Sequence, residues 1–123
     1  MRTKRRILIV DDDSDTRDVL ELAFSLEGLH IEVAADHASA MKLTMQRRPD
    51  VILLDYHING STPGDFLVEL KKRNVNAQVV LVSAAKDCAK RAAELGLEHH
   101  LAKPFELDTL FELIRSLNAA EVH

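Results

Sequence analysis

Short unbroken apolar runs alternate along the chain with stretches of helical periodicity. Ile7-Leu8-Ile9-Val10, Val51-Ile52-Leu53-Leu54 and Gln78-Val79-Val80-Leu81-Val82 are dominated by branched apolar residues. Runs of this kind predict strands covered on both faces, as in a parallel sheet. His30-Ile31-Glu32-Val33 alternates polar and apolar, and Glu98-His99-His100-Leu101-Ala102 is polar. Both predict strands at sheet edges. Val19, Leu22, Ala23 and Leu26 stand at i, i+3, i+4 and i+7, which predicts a helix with that face toward the core. Asp13 or Ser14 caps its start and Gly28 its end. A weaker helical pattern over 38–48 carries Met41 and Met45 on one face and stops at Pro49. Asn59-Gly60-Ser61-Thr62-Pro63-Gly64 has loop chemistry, and Phe66, Leu67 and Leu70 follow at helical spacing. Residues 86–95 are alanine-rich (Ala89, Ala92, Ala93), which favours helix but offers little apolar face, so this helix is loosely held. Gly96 closes it, and Leu107, Leu110, Phe111, Ile114 and Leu117 form one strong stripe in the last helix.

The order βαβαβαβαβα implies a parallel sheet with right-handed crossovers and helices on both faces. Strands one, three and four belong inside, and two and five at the edges. The order 2-1-3-4-5 satisfies both demands: an α/β, doubly wound, five-stranded, flavodoxin-like sheet. A chain of 123 residues without repeats or low-complexity segments reads as one domain, over 4–118, with 119–123 as a tail or the start of a linker.

Composition narrows the function classes. A net charge of −4, from 20 acidic and 16 basic residues, argues against nucleic acid as a direct partner of this domain. The basic start, Arg2-Lys4-Arg5-Arg6, reads as a solvated tail. No apolar run is long enough to span a bilayer and no signal peptide is evident. The lone Cys88 excludes an internal disulfide, fits a reducing cytoplasm and is treated as an inert helix residue.

Ligand sites in doubly wound sheets lie beyond the carboxyl ends of the strands. Those ends carry Asp11-Asp12-Asp13, Asp55, Ser83 and Lys103. Carboxylates gathered on one rim repel one another unless a cation sits among them, and oxygen ligands suit Mg²⁺. A lysine and a hydroxyl beside a metal make a site for a phosphoryl group. A carboxylate can itself accept that group, and the central Asp55 is the candidate nucleophile.

Ile7-Leu8-Ile9-Val10-Asp11-Asp12-Asp13, Val51-Ile52-Leu53-Leu54-Asp55, Val82-Ser83-Ala84 and Lys103-Pro104-Phe105, in this order and spacing, resemble the receiver domain of a two-component response regulator from about Lys4 to Leu117. The resemblance implies a phosphoryl-accepting signalling switch rather than a turnover enzyme. Asp55 would receive its phosphoryl group from a phosphohistidine on a sensor histidine kinase or a histidine phosphotransfer protein. Asp12 would hold Mg²⁺ directly, Asp11 largely through water, and His57 through its backbone carbonyl. Ser83 would move to bond the phosphoryl oxygen, Lys103 would pair with it, and Pro104 would follow a cis peptide bond; Asp13 would be a capping residue. The expected consequence is a changed surface on the fourth helix, fifth strand and fifth helix, read by a downstream protein or a fused output domain.

Three positions depart from the family pattern. Proline is usual four places after the phosphoacceptor and glycine eight after, where this chain has Asn59 and Pro63, with Gly64 one later, so the loop reads as one residue longer. An aromatic residue is usual three before the lysine, where His100 would make the switch position pH-dependent. Ala85 has no group to position an attacking water. Two other classes fit the sequence less well. A haloacid-dehalogenase-like phosphohydrolase fits Asp11-x-Asp13, but Asp15 stands where Thr or Val is expected and Asp55 would have no role. A receiver-like binding module that is never phosphorylated leaves the intact set of Asp11, Asp12, Asp55, Ser83 and Lys103 unexplained.

Overall fold

The computed structural model describes residues 5–120, with side chains through Leu117; Arg2 and Lys4 of the basic start and residues 121–123 of the tail lie outside it. Five strands, β1 (Arg6–Val10), β2 (His30–Ala34), β3 (Val51–Asp55), β4 (Gln78–Ala84) and β5 (His99–Lys103), form one parallel sheet in the order β2-β1-β3-β4-β5. The helices are α1 (Ser14–Leu26), α2 (His37–Gln46), α3 (Gly64–Lys72), α4 (Cys88–Glu94) and α5 (Leu107–Ala120). The fold class, strand order and element order thus match the expectation.

Alternation along the inner strands divides the core in two, because successive strand side chains point to opposite faces. Ile7, Ile9, Val51, Leu53, Val80 and Val82 meet Leu20 and Phe24 of α1 and Leu110, Ile114 and Leu117 of α5. Leu8, Val10, Ile52 and Leu54 meet Ala40 of α2 and Phe66 and Leu70 of α3. Burial on both faces is why the middles of these strands lack polar residues. Register puts Val10 beside Leu54 and Asp55 beside Val82, so the strand ends form one rim.

The expected face of α1 is corrected. Val19, Leu22 and Leu26 are 55%, 64% and 78% exposed, while Phe24 is fully buried. The helix carries two apolar stripes, and the one holding the aromatic ring wins because it removes more apolar surface from water. The Phe24 ring meets that of Phe111 edge-on at 5.5 Å, joining α1 to α5. In α2 the buried residues are Ala40 and Thr44, with Met41 half-buried and Met45 exposed. The Thr44 hydroxyl donates to the Ala40 carbonyl at 2.8 Å, which lets a polar side chain occupy the core face. The reading of Arg5 and Arg6 as part of a solvated tail is also corrected. Arg5 is buried and Arg6 opens β1, where its amide donates to the Asp50 carboxylate at 2.9 Å.

Helix ends follow local chemistry. The Asp36 carboxylate caps α2 by accepting the Ser39 amide at 2.7 Å. Asp13 occupies the N-cap of α1, but its carboxylate accepts the Thr16 hydroxyl instead of a backbone amide. Gly28 (φ 77°) and Gly96 (φ 74°) follow α1 and α4 in the left-handed region that favours glycine.

Phe24→Ala is expected to destabilise the fold by about 3–5 kcal/mol, whereas Leu22→Ala should stay within about 0.5 kcal/mol of the parent. Urea denaturation of both variants measures the difference; a large loss in Leu22→Ala would overturn the assignment of the buried face.

Candidate functional site

Asp11, Asp12, Asp55, Ser83 and Lys103 converge at the carboxyl ends of β1, β3, β4 and β5. One oxygen from each of the carboxylates of Asp11, Asp12 and Asp55 lies within 4.8 Å of the others. This is the sole group of acidic, His or Cys side chains suited to a metal among the described residues. Asp11 is buried, Asp55 half-buried and Asp12 exposed, so the cluster opens from the core to solvent. The Lys103 ammonium stands 3.3 Å from Asp55 Oδ2 and 3.5 Å from Asp11 Oδ2. The Lys103–Pro104 peptide bond is cis.

The charges do not balance: three carboxylates face one ammonium. Burial pushes the Asp55 carboxyl above the ordinary value of 3.8; Lys103 opposes the rise, and the neighbouring Asp11 adds to it. Burial works against the Lys103 ammonium, but Asp55 and Asp11 outweigh it and raise its value above 10.5. A compact set of oxygen donors with surplus negative charge on a rigid rim fits a small hard cation such as Mg²⁺.

An open cleft of about 590 Å³ adjoins this cluster, lined by Thr16, Asp55, His57, Ser83, Lys103 and Phe105, among others. His57 is exposed at its edge, its ring edge-on to Tyr56 at 4.9 Å. Ser83 is only 3% exposed. His100, in contrast, stands exposed on β5, paired in register with Leu81.

Several neighbours escaped the sequence reading. In the loop after β3, Asn59 (φ 50°) and Gly60 (φ 77°) form a tight reversal closed by a bridge between Ile58 and Ser61. Two successive positive φ values are the requirement of a mirror-image turn, for which Asn-Gly is the favoured pair. The Asn59 amide donates to Asp12 Oδ2 at 2.9 Å, a contact that proline at this position could not make. Arg17 donates to the Asp11 carbonyl at 2.7 Å, and the Asp13 amide to Asp11 Oδ1 at 2.9 Å. Arg91 of α4 donates to Ser83 Oγ at 2.8 Å. The Asn-Gly pair was a readable signal for the turn; nothing local marked Arg91 or Arg17.

Comparison with known proteins agrees with this arrangement. A family model described as the response regulator receiver domain matches residues 7–115. The chain is 33% identical over 112 residues to sporulation initiation phosphotransferase F of Bacillus subtilis, spanning 89% of this chain and 90% of that protein. It is 32% identical over 117 residues to the transcriptional regulatory protein PrrA of Mycobacterium tuberculosis, covering 94% of this chain and 50% of PrrA. It thus spans about half the length of the transcriptional regulators that it matches. Among solved structures, the receiver domain of the TMAO respiratory system response regulator TorR superposes with a TM-score of 0.84 at 26% identity, covering 94% of this chain and 98% of that one. The chemotaxis response regulator CheY4 of Vibrio cholerae, at 23% identity and a TM-score of 0.84, shares the fold over 94% of this chain and 99% of its own. Among the described residues, no helix is long and apolar enough to cross a membrane. Site chemistry, fold and relatives agree, and the chain belongs to the response regulator receiver domain family of two-component signalling, whose members act as phosphoryl-accepting switches.

Proposed function

We propose that Asp55 is the phosphoacceptor, charged by a phosphohistidine on a partner histidine kinase or histidine phosphotransfer protein. The observation that carries this reading is the position of Asp55 at the head of the central strand, in the cleft, with Lys103 at 3.3 Å. An Asp55 carboxylate oxygen attacks phosphorus as the phosphorus–nitrogen bond breaks, and the imidazole leaves with the electron pair. Asp11, Asp12 and Asp55, with the His57 backbone carbonyl, are assigned as the Mg²⁺ site. Mg²⁺, when bound, offsets the carboxylates and the charge of the incoming group. Lys103 pairs with the phosphoryl oxygens, and the Ser83 hydroxyl donates to one of them. Ser83 and, on β5, His100 are assigned as switch positions that alter the α4-β5-α5 surface. Residues 4–118 are taken as the receiver unit and 119–123 as tail or linker. The chain is read as a cytoplasmic switch without turnover, speaking to a downstream protein or a fused output domain and contacting no nucleic acid or membrane itself.

The exposed stripe of α1 supports a docking site for the phosphohistidine-bearing partner. A hollow lined by Val19, Leu20 and Leu107 shares Thr16 and Phe105 with the phosphoacceptor cleft, so the apolar stripe continues to its rim. Exposed apolar residues grouped this way suit a protein partner.

Incubation with Mg²⁺ and phosphoramidate, followed by intact-mass measurement, is expected to show one added phosphoryl group in the parent and none in Asp55→Asn. An equal gain in the variant would remove Asp55 from the role. Leu22→Glu is expected to slow transfer from a phosphohistidine donor at least about tenfold while leaving acceptance from phosphoramidate unchanged. Equal loss with both donors would exclude α1 as the docking face.

Asp55 also sets a pH dependence in metal-free buffer. Its folded value lies above its unfolded one, so the folded state holds the proton more tightly. Stability from this group is present at acid pH and is lost as pH rises from 3.8 through the folded value. Asp55→Asn is therefore expected to melt higher than the parent at neutral pH, with the gap closing on acidification and on addition of Mg²⁺. Thermal melts with and without Mg²⁺ measure it; a variant less stable than the metal-free parent at neutral pH would contradict the charge imbalance.

A further inference from the structure

We propose that Arg91 is the positioning residue through which the phosphorylation state of Asp55 reaches α4; this rests on the roles assigned above to Asp55 and Ser83. The Arg91 guanidinium makes three contacts at once. It donates to Ser83 Oγ at 2.8 Å, lies 4.2 Å from the centroid of the Tyr56 ring, and approaches the Asp87 carboxylate at 3.5 Å. Ser83 ends the buried part of β4, and Tyr56 directly follows Asp55. The Tyr56 amide donates to the Val82 carbonyl at 2.9 Å, which ties the residue after Asp55 to the residue before Ser83. One side chain of α4 therefore grips both strand ends that hold the reacting groups.

A plain surface role accounts for the Asp87 contact, since exposed pairs four apart on a helix are common and weak. It does not account for the other two. The Ser83 contact is shorter and reaches a buried hydroxyl, and the planar guanidinium over an aromatic ring is a stacking that lysine would not reproduce. The anchoring matters because α4 is seven residues long and buries only Cys88 and Ala92. With so little apolar packing, polar contacts from Arg91 carry a large share of what fixes the helix against the rim.

The hydroxyl geometry supplies the coupling. Ser83 Oγ accepts from Arg91, and its own proton has no acceptor among the described residues. A phosphoryl group on Asp55 offers one in the cleft that both residues line. As the Ser83 side chain turns toward it, the oxygen that Arg91 bonds moves too, which draws the guanidinium from its place over Tyr56 and loosens the seat of α4. Tyr56 is the single tyrosine of a chain without tryptophan, so tyrosine emission comes from the ring beneath Arg91, and the Arg91 variants separate this contact from other neighbours of the ring.

The test follows three readings on the full chain treated with Mg²⁺ and phosphoramidate: intact mass, tyrosine emission and amide hydrogen exchange over 88–94. In the parent, emission is expected to change in step with the mass gain, and exchange across α4 to accelerate. Arg91→Ala should gain the same mass, lose the emission change, and show fast α4 exchange before any donor is added. Ser83→Ala should keep Arg91 over Tyr56 yet lose the phosphorylation-dependent emission change. Arg91→Lys keeps the cation but not the fork, and is expected to respond as Arg91→Ala does; it stands in for that variant should alanine impair folding. A full mass gain with an unchanged parent emission, or the same α4 response in the parent and both Arg91 variants, would overturn the proposal. An absence of mass gain in the parent would overturn the Asp55 reading and this proposal with it.

Discussion

Unbalanced negative charge at the end of a buried sheet governs the molecule. Three carboxylates stand within 4.8 Å of one another, with a single ammonium beside two of them. Repulsion in a partly desolvated site is unfavourable, and folding tolerates it because the strands beneath are apolar on both faces and closely packed. The stability stored in Ile7–Val10 and Val51–Leu54 thus holds Asp11, Asp12 and Asp55 in an arrangement that they would not adopt freely. A site strained in this way gains from a cation and from a group that spreads charge, which is the condition for a switch driven by ligands.

The sheet and the site were largely legible in the sequence, because both rest on patterns that the backbone imposes. A strand covered on both faces must be apolar along its middle, so β1, β3 and β4 announced themselves, and the alternation in β2 marked an edge. A parallel sheet then brings all carboxyl ends to one rim, which collected Asp11, Asp55, Ser83 and Lys103 without knowledge of a single distance. Helical periodicity was a weaker guide. In α1 the stripe of Val19, Leu22 and Leu26 competes with that of Leu20 and Phe24, and spacing alone does not say which faces the sheet. The size of one aromatic ring decides it, through contact with Phe111, a residue far along the chain.

What stayed hidden is the layer of contacts around the site. Arg17 on the Asp11 carbonyl, Asn59 on Asp12 and Arg91 on Ser83 join residues whose adjacency depends on how loops and helices close over the rim. Long polar side chains leave no periodic trace, and an arginine in a short alanine-rich helix looks like any solvated one. The first residues of the described chain were misread for a related reason. Arg5 and Arg6 have the composition of a tail, but backbone pairing with neighbouring strands draws them into the sheet, where His30 donates to the Arg5 carbonyl at 2.9 Å.

The turn after β3 has a consequence for how the site meets a cation. Each carboxylate of the cluster has at least one oxygen already engaged: Asp12 Oδ2 with the Asn59 amide, Asp55 Oδ2 with Lys103, and Asp11 with the Asp13 amide on one oxygen and Lys103 on the other. These partners fix how each carboxylate is turned, while each engaged oxygen keeps a second lone pair for an ion. Calcium favours six to eight oxygens and often takes carboxylates two-handed, whereas magnesium accepts single oxygens and keeps its waters, which suits carboxylates held in one orientation. The Asn-Gly reversal thereby orients the Asp12 carboxylate before any ion arrives.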